Sequence, residues 1–176
     1  MKPTNKKSPV KGPTIKKSPS SPSGEGLGRG LLGRGLFSGS FDPFTLGHAD
    51  IVRRALTFCD EVVVAVGYNE RKAGWLPVEE RVARLQQLYA DEPRVRVASY
   101  QGLTVDFAKT CGATALIRGV RTMADFEYEM QMADVNRQLS GIETILLPAS
   151  PQLASLSSSV VRELAHFGRD ITEYLP

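Results

Sequence analysis

Apolar positions along this chain alternate between two rhythms. Short runs of uninterrupted or every-second apolar residues mark strands at Gly35–Gly39, Glu61–Gly67, Arg94–Ser99, Thr114–Arg118 and Glu143–Leu147. The second contains Val62-Val63-Val64-Ala65-Val66, a run suited to a central parallel strand buried on both faces. Between them the spacing switches to three and four residues, predicting helices over 48–58, 77–90, 104–111, 123–139 and 157–167. In the second helix Pro77 takes the first position and Val78, Val82, Leu85 and Leu88 form one stripe. In the fourth, Met123, Phe126, Met130 and Ala133 form one stripe and Tyr128, Met132, Val135 and Leu139 another. Apolar residues on two sides suit either a helix wholly inside one domain or one with a stripe buried in the domain and the other against a neighbouring subunit. Strand–helix alternation of this kind predicts a doubly wound parallel sheet of five strands, with ligands at the strands' carboxyl ends.

Residues 1–34 break the rhythm. They are rich in Lys, Pro, Ser and Gly, and the segment Lys-Lys-Ser-Pro occurs at 6–9 and again at 16–19. Such a segment cannot bury enough surface to offset its ordering entropy, so a disordered basic tail is expected, followed by one domain over 35–176. The tail has no apolar core of a secretory signal, and its prolines oppose an amphipathic transit helix. Charge follows the same division. The net charge of +3 arises from eight Lys/Arg against one Glu in residues 1–34, and fourteen against eighteen acidic residues in the other 142. Attraction to nucleic acid is therefore expected to be weak and confined to the tail. Cys59 and Cys111 lie among apolar residues without metal-ligand spacing, which suits small core residues in a reducing compartment. No apolar run approaches the roughly 20 residues needed to span a bilayer, and a cytoplasmic protein is expected.

The most informative segment is Gly39-Ser40-Phe41-Asp42-Pro43-Phe44-Thr45-Leu46-Gly47-His48, between the first strand and the first helix. A strand, a tight turn and a helix start together bring backbone N–H groups and a helix dipole to an anion. His48 at that helix start is expected to add a cationic side chain beside oriented amides, an arrangement that stabilises charge on a phosphoryl group. As a structural alternative, a histidine there can simply cap the helix. Asp42 and Pro43 are read as shaping the turn. Two further segments carry the same sense. Arg118-Gly119-Val120-Arg121 follows a buried strand, and paired guanidinium groups suit planar phosphate oxygens. Ser155-Leu156-Ser157-Ser158-Ser159 opens the final helix, where serine caps well.

These three segments, in this order, resemble the nucleotidylyltransferases with the (H/T)xGH signature and a Rossmann-like fold. Within them the chain is similar to the phosphopantetheine adenylyltransferase family, over roughly residues 35 to 176. The resemblance implies transfer of the adenylyl group of ATP to 4′-phosphopantetheine, giving dephospho-coenzyme A and pyrophosphate, with Mg²⁺ on the triphosphate and no metal cage in the protein. It implies His48 as the catalytic residue, in contact with ATP phosphates. It implies Ser40, Lys72, Thr104 and Arg118 at the acceptor. It also implies Ser40, Phe41, Gly119, Val120, Arg121 and Glu129 at ATP, together with Leu153, Ala154, Ser155, Leu156, Ser157, Ser158 and Ser159. Relatives carry Trp where this chain has Leu153. They also continue past the final Leu-Pro into a terminal helix, which is expected to be absent here. The resemblance further implies a homo-oligomer, a hexamer. Trp75 and His166 have no partner motif and are read as structural. Two rivals remain at this point. One is a sister nucleotidylyltransferase with another phosphorylated acceptor. The other is an inactive nucleotide-binding module.

Overall fold

The computed structural model describes residues 32–69 and 74–176. Five parallel strands form a single sheet: β1 (Arg34–Gly39), β2 (Glu61–Gly67), β3 (Val95–Tyr100), β4 (Ala115–Val120) and β5 (Glu143–Pro148). They lie in the order β3-β2-β1-β4-β5. The helices are α1 (Leu46–Ala55), α2 (Val78–Leu88), α3 (Thr104–Cys111), α4 (Met123–Ser140) and α5 (Ser158–His166). The chain winds one way from β1 to β3 and then crosses to the other side of β1 for β4. Ligand crevices in such sheets form where the winding reverses, here above the carboxyl ends of β1 and β4.

The strand patterns explain why the sheet is covered on both faces. Phe37, Val62, Val64, Val66 and Ile117 point to one side and pack with Ile51, Val52 and Ala55 of α1 and Leu85 of α2. Leu36, Val63, Ala65 and Leu116 point to the other and pack with Val105, Phe107 and Ala108 of α3. Cys59 is buried in the first of these layers, where a Cβ on Gly35 would come within 2.9 Å of its sulfur; Cys111 packs against the second. Among the described residues no helix is long and apolar enough to cross a membrane.

Three expectations shift. Residues 1–31 of the expected tail lie outside the described residues, yet Leu32 to Arg34 already belong to the fold. The Leu32 N–H donates to the Phe58 carbonyl at 3.1 Å, the Gly33 carbonyl receives the Asp60 N–H at 2.8 Å, and Arg34 opens β1. Pro77 is the residue flanking α2 rather than its first helical residue. The larger change concerns α4. Neither apolar stripe is buried: Met123, Phe126, Tyr128, Met130, Met132, Val135 and Leu139 are all exposed, and Glu129 is the helix's one buried residue. The helix turns a narrow small and polar seam inward because Glu129 reaches an arginine on β4, and both apolar stripes face outward.

Candidate active site

The turn after β1 is built around Phe41. Its φ of 47° places a non-glycine residue in the left-handed region, which costs about 1–2 kcal/mol. The ring is held by packing, 5.1 Å from Phe37 and 5.2 Å from Phe44 between centroids. A Cβ on Gly39 would lie 2.9 Å from that ring, so the turn needs glycine there. Thr45 then precedes α1, and its backbone N–H donates to His48 Nδ1 at 2.9 Å. A backbone N–H can only donate, so Nδ1 is the acceptor and the ring proton sits on Nε2. The Thr45 hydroxyl lies 3.0 Å from the same Nδ1.

One His48 nitrogen reaches back to the helix entry, as the structural alternative has it, and the residue also lines the cavity. The expected cationic charge is corrected. Burial among Phe37, Phe41 and Phe44, aided by the positive charges of Arg121 and Arg118, lowers the His48 pKa to about 4. The imidazole is neutral at pH 7 before an anion arrives.

A cavity of about 350 Å³ opens beside it, bounded by the β1 turn, the Arg118–Gly119 end of β4, α4 and the start of α5. Arg118 is a fixed charge. Its Nε and Nη2 donate to the Glu129 carboxylate at 2.8 and 2.5 Å, and Nη1 donates to the Ser38 carbonyl at 2.6 Å. Arg121 is held by Asp125, with Nε–Oδ2 at 3.0 Å. The serine run is arranged differently from a row of free hydroxyls. Ser157 Oγ accepts the Val160 N–H, Ser158 Oγ donates to the Pro43 carbonyl at 2.8 Å, and Ser159 Oγ accepts from Arg162. Ser157 and Ser159 accept in these bonds and keep their O–H protons, so those hydroxyls are open to an anion together with the first N–H groups of α5 and the Arg162 guanidinium, which also lines the cavity. Leu153 and Leu156 line it too, their carbonyls 3.9 Å from where a Cβ on Gly47 would stand.

A second, larger cavity of about 1110 Å³ lies on the β2–β3 side, lined by Tyr68, Tyr100, Thr104 and Trp75. The two cavities meet, sharing Ser38, Gly39, Ser40, Arg118 and Arg162. Thr104 is at the first position of α3, and its hydroxyl pairs with that of Tyr100 at 2.7 Å. Ser40, Phe41, His48, Gly119, Arg121, Glu129, Leu153, Leu156 and Ser157 to Ser159 gather around the first cavity. Val120, Ala154 and Ser155 do not line it; Val120 is buried at the end of β4, where its carbonyl accepts the Ala149 N–H at 2.7 Å. Lys72 lies outside the described residues. Reading the sequence missed Thr45, Arg162 and Arg81. Arg162 had a signal, since it lies one turn beyond Ser158 on the same helix. So did Arg81, a charge standing on the apolar stripe of Val78, Val82 and Leu85.

The pattern of the chain agrees with one family in particular. The family described as cytidylyltransferase-like matches residues 36–164. The phosphopantetheine adenylyltransferase of Phocaeicola vulgatus is 55% identical over 143 residues, which span 81% of this chain and 95% of that protein. The chain belongs to the phosphopantetheine adenylyltransferase family. The enzyme of the same name from Bacteroides fragilis is 51% identical over the same length, again 81% of this chain and 95% of that protein. The fold also resembles a bifunctional NMN adenylyltransferase/ADP ribose pyrophosphatase from Francisella tularensis, with a TM-score of 0.63 and 13% identity. That likeness covers 82% of this chain and 45% of the other, and it concerns the fold alone. This family member is accordingly a nucleotidyltransferase of coenzyme A biosynthesis.

Proposed function

We propose that the protein transfers the adenylyl group of ATP to the phosphate of 4′-phosphopantetheine, giving dephospho-coenzyme A and pyrophosphate. The observation that carries this reading is the meeting of two cavities at Ser40 and Arg118, one at two helix N-termini and one of about 1110 Å³ on the β2–β3 side. ATP occupies the first, its phosphates on the N–H groups of α1 and α5, with Arg162 and Arg121 as flanking cations. Magnesium accompanies it as the Mg-ATP substrate complex. The acceptor lies in the second, with its phosphate beside Ser40 and Arg118 and Thr104 alongside its arm.

An oxygen of the acceptor phosphate attacks the α-phosphorus. The bond from that phosphorus to the oxygen bridging the β-phosphate breaks, and pyrophosphate leaves with the electron pair. The nucleophile is already anionic, so no proton has to be removed, and catalysis reduces to alignment and charge stabilisation. His48 supplies the stabilisation through its Nε2–H, held in place by the Thr45 N–H on the other nitrogen. A positioned neutral donor needs little reorganisation as charge develops.

The apolar residues on the outer side of α4 support assembly as a homo-oligomer, a hexamer by family resemblance. The reaction is reversible, and running it backwards tests the reading. Dephospho-coenzyme A and Mg-pyrophosphate should yield ATP, measured by coupled luminescence. Absence of ATP from the folded protein, with nicotinamide adenine dinucleotide active instead, would move it to a sister acceptor.

A further inference from the structure

Two charged side chains, Asp42 and Arg81, line the acceptor cavity close to its junction with the nucleotide cavity. Asp42 is 6% exposed. Its Oδ2 accepts the Trp75 N–H at 2.7 Å and its Oδ1 accepts the Leu76 N–H at 2.9 Å. Its own carbonyl accepts from Arg162 of α5. Arg81 of α2 is 8% exposed and donates from Nη1 to the Ser40 carbonyl at 2.7 Å, while its buried Nε has no partner among the described residues. Nor does Arg81 form an ion pair within them. Within the described residues this buried guanidinium is held by a backbone carbonyl of the β1 turn, which ties α2 to that turn. Both groups converge on Gly74: a Cβ there would stand 3.0 Å from Asp42 Oδ2 and 3.3 Å from Arg81 Nη2.

These bonds tie the β1 turn to the far wall of the acceptor cavity. The turn carries Ser40, which lines both cavities, and Phe41, which lines the nucleotide cavity, while Asp42, Trp75, Leu76 and Arg81 line the acceptor cavity. We propose that Asp42 and Arg81 are positioning residues that fix the register between the two cavities, so that acceptor phosphate and α-phosphorus meet in line. They act through the backbone groups they hold, the Trp75 and Leu76 N–H groups and the Ser40 carbonyl. Misplacing two reactants by about 1 Å can cost around 10²-fold in rate while each still binds, because each ligand keeps its own contacts. The effect of breaking the connection therefore falls on kcat.

The kinetic arm of the test rests on the adenylyl-transfer reading, and wild-type turnover in the same assay checks that reading separately. Four variants of the full chain are compared: Asp42→Asn, Arg81→Met, Arg81→Lys and Gly74→Ala. The last crowds both groups, and the Leu76 carbonyl 3.0 Å from the added methyl, without removing either charge. Mg-ATP and phosphopantetheine binding are followed by the fluorescence of Trp75, the chain's single tryptophan, with calorimetry as a check. Asp42→Asn, Arg81→Met and Gly74→Ala should lower kcat by about 10- to 100-fold and leave the Kd of Mg-ATP within about threefold. Arg81→Lys, which keeps a donor for the Ser40 carbonyl, should recover much of the loss. The double variant Asp42→Asn/Arg81→Met should be no worse than the more severe single one, since the two act as a unit. Should Asp42→Asn fail to fold, the Arg81 pair and Gly74→Ala carry the test. Unchanged kcat in folded variants, strictly multiplicative losses, or a loss confined to Mg-ATP affinity would overturn the proposal.

Discussion

Cutting Glu129 back to alanine isolates the ion pair on which the site's central arginine depends. Glu129 is 8% exposed and takes two of the three hydrogen bonds that Arg118 makes within the described residues. After truncation only the bond to the Ser38 carbonyl remains. Removing one member of a fully buried pair costs about 3–5 kcal/mol. The Arg118 side chain is 31% exposed, so water replaces part of the lost pairing and the expected cost falls to about 2–3 kcal/mol. Glu129→Gln keeps one carbonyl acceptor and should cost about 1 kcal/mol. Urea denaturation followed through Trp75 measures both, and a loss of 2–3 kcal/mol corresponds to a Tm lower by about 5–10 °C in a domain of this size. Because Arg118 lines both cavities, Glu129→Ala should also raise the KM for phosphopantetheine at least as much as that for ATP. Glu129 also lines the nucleotide cavity, where the resemblance places it, and the two KM values separate that contact from the anchoring of Arg118. A stability loss below 0.5 kcal/mol, roughly the scale of an ordinary surface change, with only the ATP KM affected, would refute the anchoring role and return Glu129 to the nucleotide.

Three further outcomes follow from the geometry. The chain has two histidines, so the His48 resonance is readily assigned with a His48→Gln variant, and its midpoint should be near pH 4. The folded state then favours the neutral ring, and the His48 contribution to stability is lost as pH falls from about 6.5 towards 4; a midpoint at or above 6.5 would contradict it. Gly47→Ala should fold as well as the parent or slightly better, because the added methyl meets nothing closer than 3.5 Å and alanine favours a helix by up to about 1 kcal/mol. The methyl instead points toward the nucleotide cavity, so the ATP KM should rise about tenfold or more, and an unchanged KM would show that no ligand approaches this backbone. Replacing exposed Phe126 and Met130 of α4 with glutamate should leave the monomer folded and reduce the assembly to it in sedimentation, whereas an unaltered oligomer would place the interface elsewhere.

How much of this was legible in the sequence depended on whether a residue's role was local. All five strands and five helices followed from apolar period, and the β1 turn followed from its Gly, Ser, Pro and His spacing. Local pattern also suggested that His48 could cap α1. It did not disclose that the cap leaves a neutral donor, because that depends on three phenylalanine rings, two of them in the turn itself, and two arginines distant in the chain. The α4 stripes misled for a related reason. Amphipathic period says that apolar residues will be covered, not by what, and here Glu129 takes the inward position to meet Arg118. The serine run was legible as a helix start; that the Ser158 hydroxyl turns to the distant Pro43 carbonyl, while Ser157 and Ser159 accept from Val160 and Arg162, was not. Asp42 read as a turn residue because its partners, Trp75 and Leu76, lie more than thirty residues away.

Pyrophosphate release from Mg-ATP, measured in parallel with phosphopantetheine, nicotinamide mononucleotide and glycerol phosphate as acceptors, tests the assignment most directly. Wild-type protein should turn over with phosphopantetheine alone, and His48→Ala should lower that rate by about 10²–10³-fold, the scale for losing one transition-state donor. Turnover with another acceptor, or a His48→Ala rate within a few-fold of wild type, would contradict the substrate or the mechanism respectively.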